Sequence, residues 1–481
     1  MKQQAFNPFL PSNEYIPDGE PHVFGDRAYL YGSHDRFGGK LFCLNDYVCW
    51  SAPVDDLSSW RCEGVIYRKS DDPKNSKGKR PLYAPDVQRG RDGRYYLYYS
   101  VMLSGIISVA VSDSPAGPFS FYGFVKYPNG HVIGTKRGDL FQFDPGVLVD
   151  DDGRVYLYSG NGLRKMLGKT GNAVHNFFRL ADGGYCMELE PDMITVKTAP
   201  SKLFPQYGDN VCSFAGHEFF EASSIRKANG RYYFIYSSYH SHELCYALSD
   251  RPDGGFRFGG TLISNGDVFL NGRMEKDALN YMGNNHGSIE SIGGRWYVFY
   301  HRQTNRSHFA RQACAEEIVL LPDGLIRQAE MTSCGLNGGP LADTGTYPAR
   351  IACNLFSKDG AVVYSPRQND LPGHPYFTQD QPDGEPGEQY IAGMTDGATA
   401  GFKYFRFSQP REVCVTVRGN GSGKLLVKTE PHGAAVSEIE IEAGGQYGAF
   451  SARLDAEPGV RALYFTFAGM GTIDFLDFSL R

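Results

Sequence analysis

RDGRYYLYYSV, residues 91–101, carries the pattern that decides the fold: a turn, an arginine, then a strand-length run of aromatic and aliphatic residues. Four other stretches repeat it: GDRAYLYGSHD (25–35), DDGRVYLYSGN (151–161), ANGRYYFIYSS (228–238) and IGGRWYVFYHR (292–302). The arginines are Arg27, Arg94, Arg154, Arg231 and Arg295, separated by 67, 60, 77 and 64 residues. Turn residues followed by Tyr, Phe, Leu and Val read as a hairpin entering a β-strand. A short, mostly apolar segment precedes each turn (EPHVF, APDVQRG, DPGVLVD, EASSIRK, HGSIESI) and supplies the other arm of the hairpin. VSDSPAGPFSFYG (111–123) and LSDRPDGGFRFGG (248–260), with VDDLSSWRCEG (54–64) as a looser copy, add two strands per unit. Each unit is therefore expected to be a four-stranded antiparallel sheet. Five such sheets, none able to bury both faces alone, predict a five-bladed β-propeller.

The repeat ends after EEIVLLPDGLIRQAEMT (316–332), and SCGLNGGPLADTGTYPA (333–349) has the Gly, Pro and small residues of a linker. Beyond it, REVCVTVRG, GKLLVKTE, SEIEIEA, VRALYFTFAG and TIDFLDFSL read as strands of a β-sandwich. The expected chain is all-β: a propeller over 1–335, a linker over 336–349 and a jelly-roll-like sandwich over 350–481. RGNGSGK (418–424) lies between two strands and lacks the Ser/Thr of a phosphate loop, so a tight hairpin turn is expected there.

Composition agrees with many short strands. At about 150 residues per domain, 481 residues suggest two or three domains. Glycine, 58 residues, is abundant, and 31 Tyr and 32 Phe stand against 3 Trp. A net charge of −6 with no lysine/arginine block speaks against nucleic acid or an anionic membrane as partner. No run approaches the length of a membrane span, and MKQQAFNPFLPSNEY holds no signal-peptide core, so a cytoplasmic chain is expected. Ten cysteines without a C-x-x-C pair are expected to be free thiols. His240 and His242 read as polar strand residues.

Counting back from the five arginines by 9, 8, 10, 10 and 9 residues lands on Asp18, Asp86, Asp144, Glu221 and His286. In a propeller the innermost strands run beside the central axis, so these positions are expected to converge at one mouth. Crowded carboxylates raise one another's pKa, which proteins tolerate mainly at functional sites. Two carboxylates across a sugar ring, one protonated and one ionised, are what glycoside hydrolysis needs, and a gap of roughly 6.5–9.5 Å leaves room for the water of an inverting reaction. Asp150, Asp151 and Asp152 are expected to form an exposed acidic turn.

These motifs resemble glycoside hydrolase family 43 over residues 8–332: YIPDGEPHVFGDRAYLYGSHD, YAPDV, FDPGVLVDDDGRVYLY, FFEASSIRKANGRYYFIYSS and NNHGSIESIGGRWYVFYHR, in the family's order. The resemblance implies Asp18 as general base, with Glu20 the competing choice, Asp144 as the residue tuning the acid, and Glu221 as general acid. It further implies substrate contacts from Tyr83 (where the family usually has Trp), Asp86, Arg311 and the pair His34 and Asp35. His286 would meet a structural Ca²⁺ or Na⁺ on the axis, directly or through water; no cofactor is expected for the chemistry itself.

The implied activity is inverting exo-hydrolysis of terminal furanosides or xylosides on polysaccharide-derived oligosaccharides. α-L-Arabinofuranosidase activity is the leading expectation, with β-xylosidase or β-D-galactofuranosidase as near alternatives. A non-catalytic propeller lectin is the rival from another class, and the differing identities of the five axial residues argue against it. The C-terminal region resembles carbohydrate-binding module family 6, yet Trp50, Trp60 and Trp296 all lie in the propeller, which favours a structural lid or dimerisation module there over sugar stacking.

Overall fold

The computed structural model describes residues 3–162, 182–205, 208–209, 211–361, 373–408 and 412–481. Each signature stretch forms the second strand of an antiparallel sheet. The first sheet runs Glu20–Phe24, Arg27–Tyr31, Tyr47–Pro53, Arg61–Tyr67, and the second Leu82–Arg89, Tyr95–Val101, Ile107–Ser112, Ser120–Phe124. The third runs Gly146–Val149, Val155–Asn161, Gly183–Leu189, Ser201–Phe204, and the fourth Phe219–Ala228, Arg231–Ser238, Glu243–Ser249, Arg257–Ser264. The fifth has three strands among the described residues: Ser288–Ile292, Arg295–Thr304 and Ser307–Ile318. These are five propeller blades, followed by two six-stranded sheets that form the C-terminal sandwich.

The period of two along a strand explains the ring. Successive side chains point to opposite faces of a sheet, and both faces of every signature strand are apolar. Tyr29 and Tyr31 of blade one share a core with Leu97 and Tyr99 of blade two. Tyr96 and Tyr98, on the opposite face of blade two, pack with Val155 and Leu157 of blade three. Tyr156 and Tyr158 then meet Phe234 and Tyr236 of blade four, and Tyr233 and Ile235 meet Val298 and Tyr300 of blade five. Tyr297 and Phe299 return to Ala28 and Leu30 of blade one, which closes the circle. Between the first and fifth inner strands, Gly19 and Gly287 form a parallel bridge. Gly287 leaves no choice of residue, because a Cβ there would lie 1.9 Å from the carbonyl oxygen of Phe299.

The sandwich core is built from Phe402, Phe405, Phe465, Phe475 and Phe478 with Val, Leu and Ile from both sheets. The expected linker is already part of this domain. Leu341–Ala342 pairs with Thr399–Phe407, and Gly345–Pro348 pairs with Ile473–Leu480. RGNGSGK is a turn between strands, as expected, but it joins Glu412–Gly419 of one sheet to Ser422–Lys428 of the other and is no hairpin.

Buried charge fastens the two domains together. The Arg302 guanidinium donates to the carbonyl oxygens of Ala352 (2.8 Å) and Arg350 (2.6 Å) and lies 3.9 Å over the ring of Phe377. Lys403 of the sandwich pairs with Asp267 and Glu330, each at 2.8 Å. Asp383 accepts from the amide of Phe37 (2.7 Å) and from Asn45 Nδ2 (3.1 Å), so it holds a loop of blade one. The nine described cysteines are free thiols.

Candidate active site

Strand pairing reveals which inner-strand residues are equivalent. Glu20, Asp86, Gly146, Ser224 and Ser288 pair with Tyr31, Tyr98, Tyr158, Ile235 and Phe299, each four residues beyond its signature arginine. Two residues earlier stand Asp18, Ala84, Asp144, Ala222 and His286, and these form the upper layer. The first four have φ values of 58°, 40°, 45° and 71°, in the left-handed region that non-glycine residues seldom enter. Such conformations cost on the order of 1–3 kcal/mol each and gather at functional sites. They bend four of the five inner strands at the propeller mouth.

The layering corrects the expectation for Asp86. It sits one layer lower, fully buried, where it bonds His22 Nε2 (2.7 Å) and accepts the Val147 amide (2.7 Å); it does not line the cavity. Glu20 lies in the same layer and does not line the cavity, whereas Asp18 does. Glu221 precedes its layer mate Ala222, and the strand register shifts on both sides of it. That irregularity swings the carboxyl into the mouth.

Asp18, Tyr83, Asp144, Glu221, His286 and Arg311 all line one cavity of about 490 Å³. Its upper wall is apolar, with Phe42, Met102, Leu103, Phe141, Phe143 and Phe220. Such a site, apolar walls over a few convergent polar groups, is the usual form of a small-molecule pocket.

One of the three carboxyls is held apart from the other two. Burial by itself would raise the pKa of Asp18, but the Arg311 guanidinium, 2.9 Å from Oδ1, together with His286 and His301, keeps it below the usual carboxylate range. Burial and the Asp18 charge push Glu221 up to about 7, against Arg311 and the Asn161 amide, whose Nδ2 donates to Oε2 at 3.1 Å. Asp144 is also raised, by burial and by its two acidic neighbours, and accepts the Ala222 amide at 3.2 Å. Burial lowers His286 to about 4, so the ring is neutral near pH 7, with Nδ1 3.8 Å from both Asp18 and Asp144.

Of the remaining expected residues, Arg311 is pinned where it can act. Asp35, fully buried, accepts from Arg311 Nε at 2.8 Å and Nη2 at 3.0 Å, and from the Cys43 amide at 2.9 Å. Asp35 therefore positions the arginine and does not line the cavity. His34 does not line it either; its Nδ1 meets the Asp46 carbonyl at 2.8 Å. Asp150, expected to be exposed, is buried and accepts from Lys227 Nζ and the Tyr232 hydroxyl, each at 2.6 Å.

Sequence reasoning missed His301, Asn161 and Phe42. His301 Nδ1 accepts the Asp18 amide at 3.2 Å while Nε2 donates to the Asn284 carbonyl at 2.7 Å, which braces the left-handed turn at Asp18. Phe42 lies 4.7 Å under the Arg311 guanidinium. The available signal was a polar residue at the exit of the signature strand: SGN ends in Asn161 and FYHR contains His301.

Beneath the cavity the axis is a charged column. Arg226 Nη2 donates to Glu20 Oε2 (3.0 Å) and to the Pro21 carbonyl (2.6 Å), while its Nε faces Glu290 at 3.3 Å. Glu20 Oε1 is buried without a hydrogen-bond partner, and burial with Asp86 nearby pushes Glu20 up to about 8 against Arg226. Three groups among the described residues could share a metal ion: Glu20/His22/Asp86, His217/Glu243/Cys245 and His240/His242/Glu275. His286 belongs to none of them.

Comparison with known proteins supplies the context for this geometry. Residues 7–326 match the sequence profile of Glycosyl hydrolases family 43. A xylosidase/arabinosidase from Thermoclostridium stercorarium is 49% identical over 488 residues, 100% of this chain and 99% of the relative. A xylosidase/arabinosidase 43A from Humicola insolens is 32% identical over 321 residues, 61% of this chain and 89% of the relative. The structure of a GH43_1 enzyme from Xanthomonas citri complexed with xylose matches 68% of this chain and 93% of its own, at 26% identity and a TM-score of 0.52. An arabinoxylan arabinofuranohydrolase structure from Bacillus subtilis shares the fold across 98% of this chain and 97% of its own, at 21% identity and a TM-score of 0.52.

Proposed function

The chain belongs to glycosyl hydrolase family 43, a family of inverting O-glycosidases, and from that premise we propose the residues that carry the reaction and the sugars it acts on. Asp18 is the general base, Glu221 the general acid and Asp144 the carboxyl that tunes Glu221. One observation carries this assignment: Asp18 and Glu221 line the same cavity while Arg311 keeps one ionised and burial keeps the other protonated near neutral pH.

In the reaction, Asp18 takes a proton from the water that attacks the anomeric carbon. Glu221 gives its proton to the leaving glycosidic oxygen as that bond breaks. The products are an inverted hemiacetal and a free alcohol, with Asp18 protonated and Glu221 ionised. Solvent then resets both. Asp144 supports the acid by position: its carboxyl, itself pushed up by burial and its acidic neighbours, takes the Ala222 amide beside Glu221, while the Asp18 charge disfavours ionisation of the acid. Arg311, fixed by Asp35 and stacked with Phe42, orients Asp18 and faces the sugar hydroxyls.

The substrates are terminal α-L-arabinofuranosides and, second, terminal β-xylosides of plant-derived oligosaccharides. The relative from Thermoclostridium stercorarium, a xylosidase/arabinosidase similar over its full length, supports both. The filled axial column gives the cavity a floor, which suits a chain end and hence exo-action. The proposal keeps a Ca²⁺ or Na⁺ ion at His286. A neutral ring nitrogen facing the ionised Asp18 and the raised carboxyl of Asp144 suits an oxygen-seeking cation completed by water, which would add positive charge to the floor and favour ionised Asp144. No proton transfer above depends on it.

Two measurements test the proposal. Nitrophenyl α-L-arabinofuranoside and β-xyloside are expected to be the best of a panel that includes the galactofuranoside; galactofuranoside preference would overturn the substrate reading. Proton NMR of the first turnovers should show the anomer opposite to the substrate's, and initial retention would contradict the roles given to Asp18 and Glu221.

A further inference from the structure

Among the three clusters able to share a metal ion, two are already satisfied. Arg226 places a full positive charge on Glu20 in the first. In the second, Glu243 is fully buried with both oxygens occupied, Oε1 by His217 Nδ1 at 2.7 Å and the Ser238 hydroxyl and Oε2 by Thr261 at 2.9 Å, which leaves no open side for an ion, whereas the Glu275 side chain of the third is half exposed beside a cavity. The third is different. Glu275 Oε1 lies 3.0 Å from His240 Nδ1 and 3.2 Å from His242 Nε2, and no lysine or arginine pairs with it among the described residues.

We propose that His240, His242 and Glu275 form a binding site for a divalent transition-metal ion of the Zn²⁺ class, at the edge of the catalytic cavity. In a tetrahedral Zn²⁺ site with bonds of about 2.0–2.1 Å, adjacent donor atoms stand about 3.3–3.4 Å apart. The two observed separations fall just short of that edge, so small side-chain rotations suffice. Two imidazole nitrogens and one carboxylate oxygen are a ligand set that Zn²⁺ accepts, with water as the fourth ligand.

The surroundings are built to aim these ligands. His242 is buried, and its far nitrogen, Nδ1, is 2.9 Å from Ser264 Oγ. A partner on the far nitrogen fixes the ring and leaves Nε2 free to ligate. The ring of His240 stacks on Tyr239 at 4.3 Å. A cavity lined by His240, Phe269, Met274, Glu275 and Lys276 opens over the donors and gives an ion and its water a way in.

The site bears on catalysis through the residue between the histidines. Ser241 lines the catalytic cavity with φ 71°, and its carbonyl accepts the amide of Asn285, next to His286. An ion gripping both flanking histidines would hold this turn in place. Bound metal therefore acts on KM and on thermal stability, and takes no part in bond cleavage.

The experiment uses the full chain, stripped with chelator and titrated with ZnCl₂ by calorimetry, with Co²⁺ absorption as a spectroscopic check. One equivalent of Zn²⁺ is expected to bind, and Co²⁺ should give the intense visible bands of a tetrahedral site. His240→Ala and Glu275→Gln, both at partly exposed positions, should remain folded by circular dichroism and lose binding. Ser264→Ala should weaken it about 10–100-fold. Zn²⁺ should raise the melting temperature of the unmodified chain and leave that of His240→Ala unmoved. No saturable binding, or binding that survives intact in His240→Ala and Glu275→Gln, overturns the proposal.

Discussion

The propeller axis and the sandwich interior are both buried, and both are lined by β-strands. Their contents are opposite. Along the axis stand Asp18, Asp144, Glu221 and His286, then Glu20, Asp86, His22, Arg226 and Glu290; the sandwich core is apolar, mostly phenylalanine, leucine, isoleucine and valine with some alanine, Met394 and Tyr347. The difference follows from geometry. Two sheets packed face to face leave only the space that interlocking side chains fill. Five inner strands converging on an axis present their ends to a shared mouth, where bent backbone and unlike charges can be held around a ligand. Burial alone does not make a site; convergence of strand ends does.

The largest test of this contrast removes a proton-transfer group from the mouth. Asp18→Asn and Glu221→Gln should each lower kcat about 10²–10⁴-fold with circular dichroism and melting unchanged in character. Substantial turnover in either purified variant would erase the distinction. The converse test breaks charge at the edge of the sandwich. Lys403→Met leaves Asp267 buried without its cation, which costs about 3–5 kcal/mol; thermal unfolding should show it, while the kcat of the folded fraction stays as it was.

A smaller effect probes one place where the sandwich reaches toward the mouth. Asp383 clamps the loop that presents Phe42 and Cys43, and hydrogen bonds to a charged group contribute roughly 1.5–3 kcal/mol each. Asp383→Ala should raise KM several-fold with little change in kcat, as measured on the arabinofuranoside. An unchanged KM would mean that the Asp383 clamp has no hold on the pocket.

The smallest effect is a displacement of the pH profile. In the proposed role Glu221 acts protonated, so activity is expected below its pKa of about 7 and should fall as pH rises through that value. The Asn161 hydrogen bond favours the ionised form of Glu221. Asn161→Ala should therefore move the alkaline limb of kcat/KM to higher pH. A limb that stays in place would detach Asn161 from the acid.

How much of this was legible in the sequence can be read residue by residue. The signature stretch of blade two announces its packing outright: Leu97 and Tyr99 face blade one, Tyr96 and Tyr98 face blade three, and alternation on a strand permits nothing else. Arg311, named from the family resemblance, lines the cavity, but its tie to Asp35 spans 276 residues in sequence and lies beyond any local pattern. The interdomain pairs of Lys403 and Asp383 are invisible for the same reason.

By itself, then, the chain's repeat determined the ring of five, and the acids before the signature strands marked the end of the ring where polar side chains converge, because strand periodicity and turn chemistry are local. Only the tertiary structure decided depth. A register shift between Tyr83 and Asp86 leaves Ala84 in the upper layer and sinks Asp86 beneath it, whereas irregularities around Glu221 lift that carboxyl into the mouth. The physical reason is that a side chain's layer is set by its hydrogen-bonded partner across the sheet, and a single extra residue in one strand changes the partner without leaving a mark in the sequence.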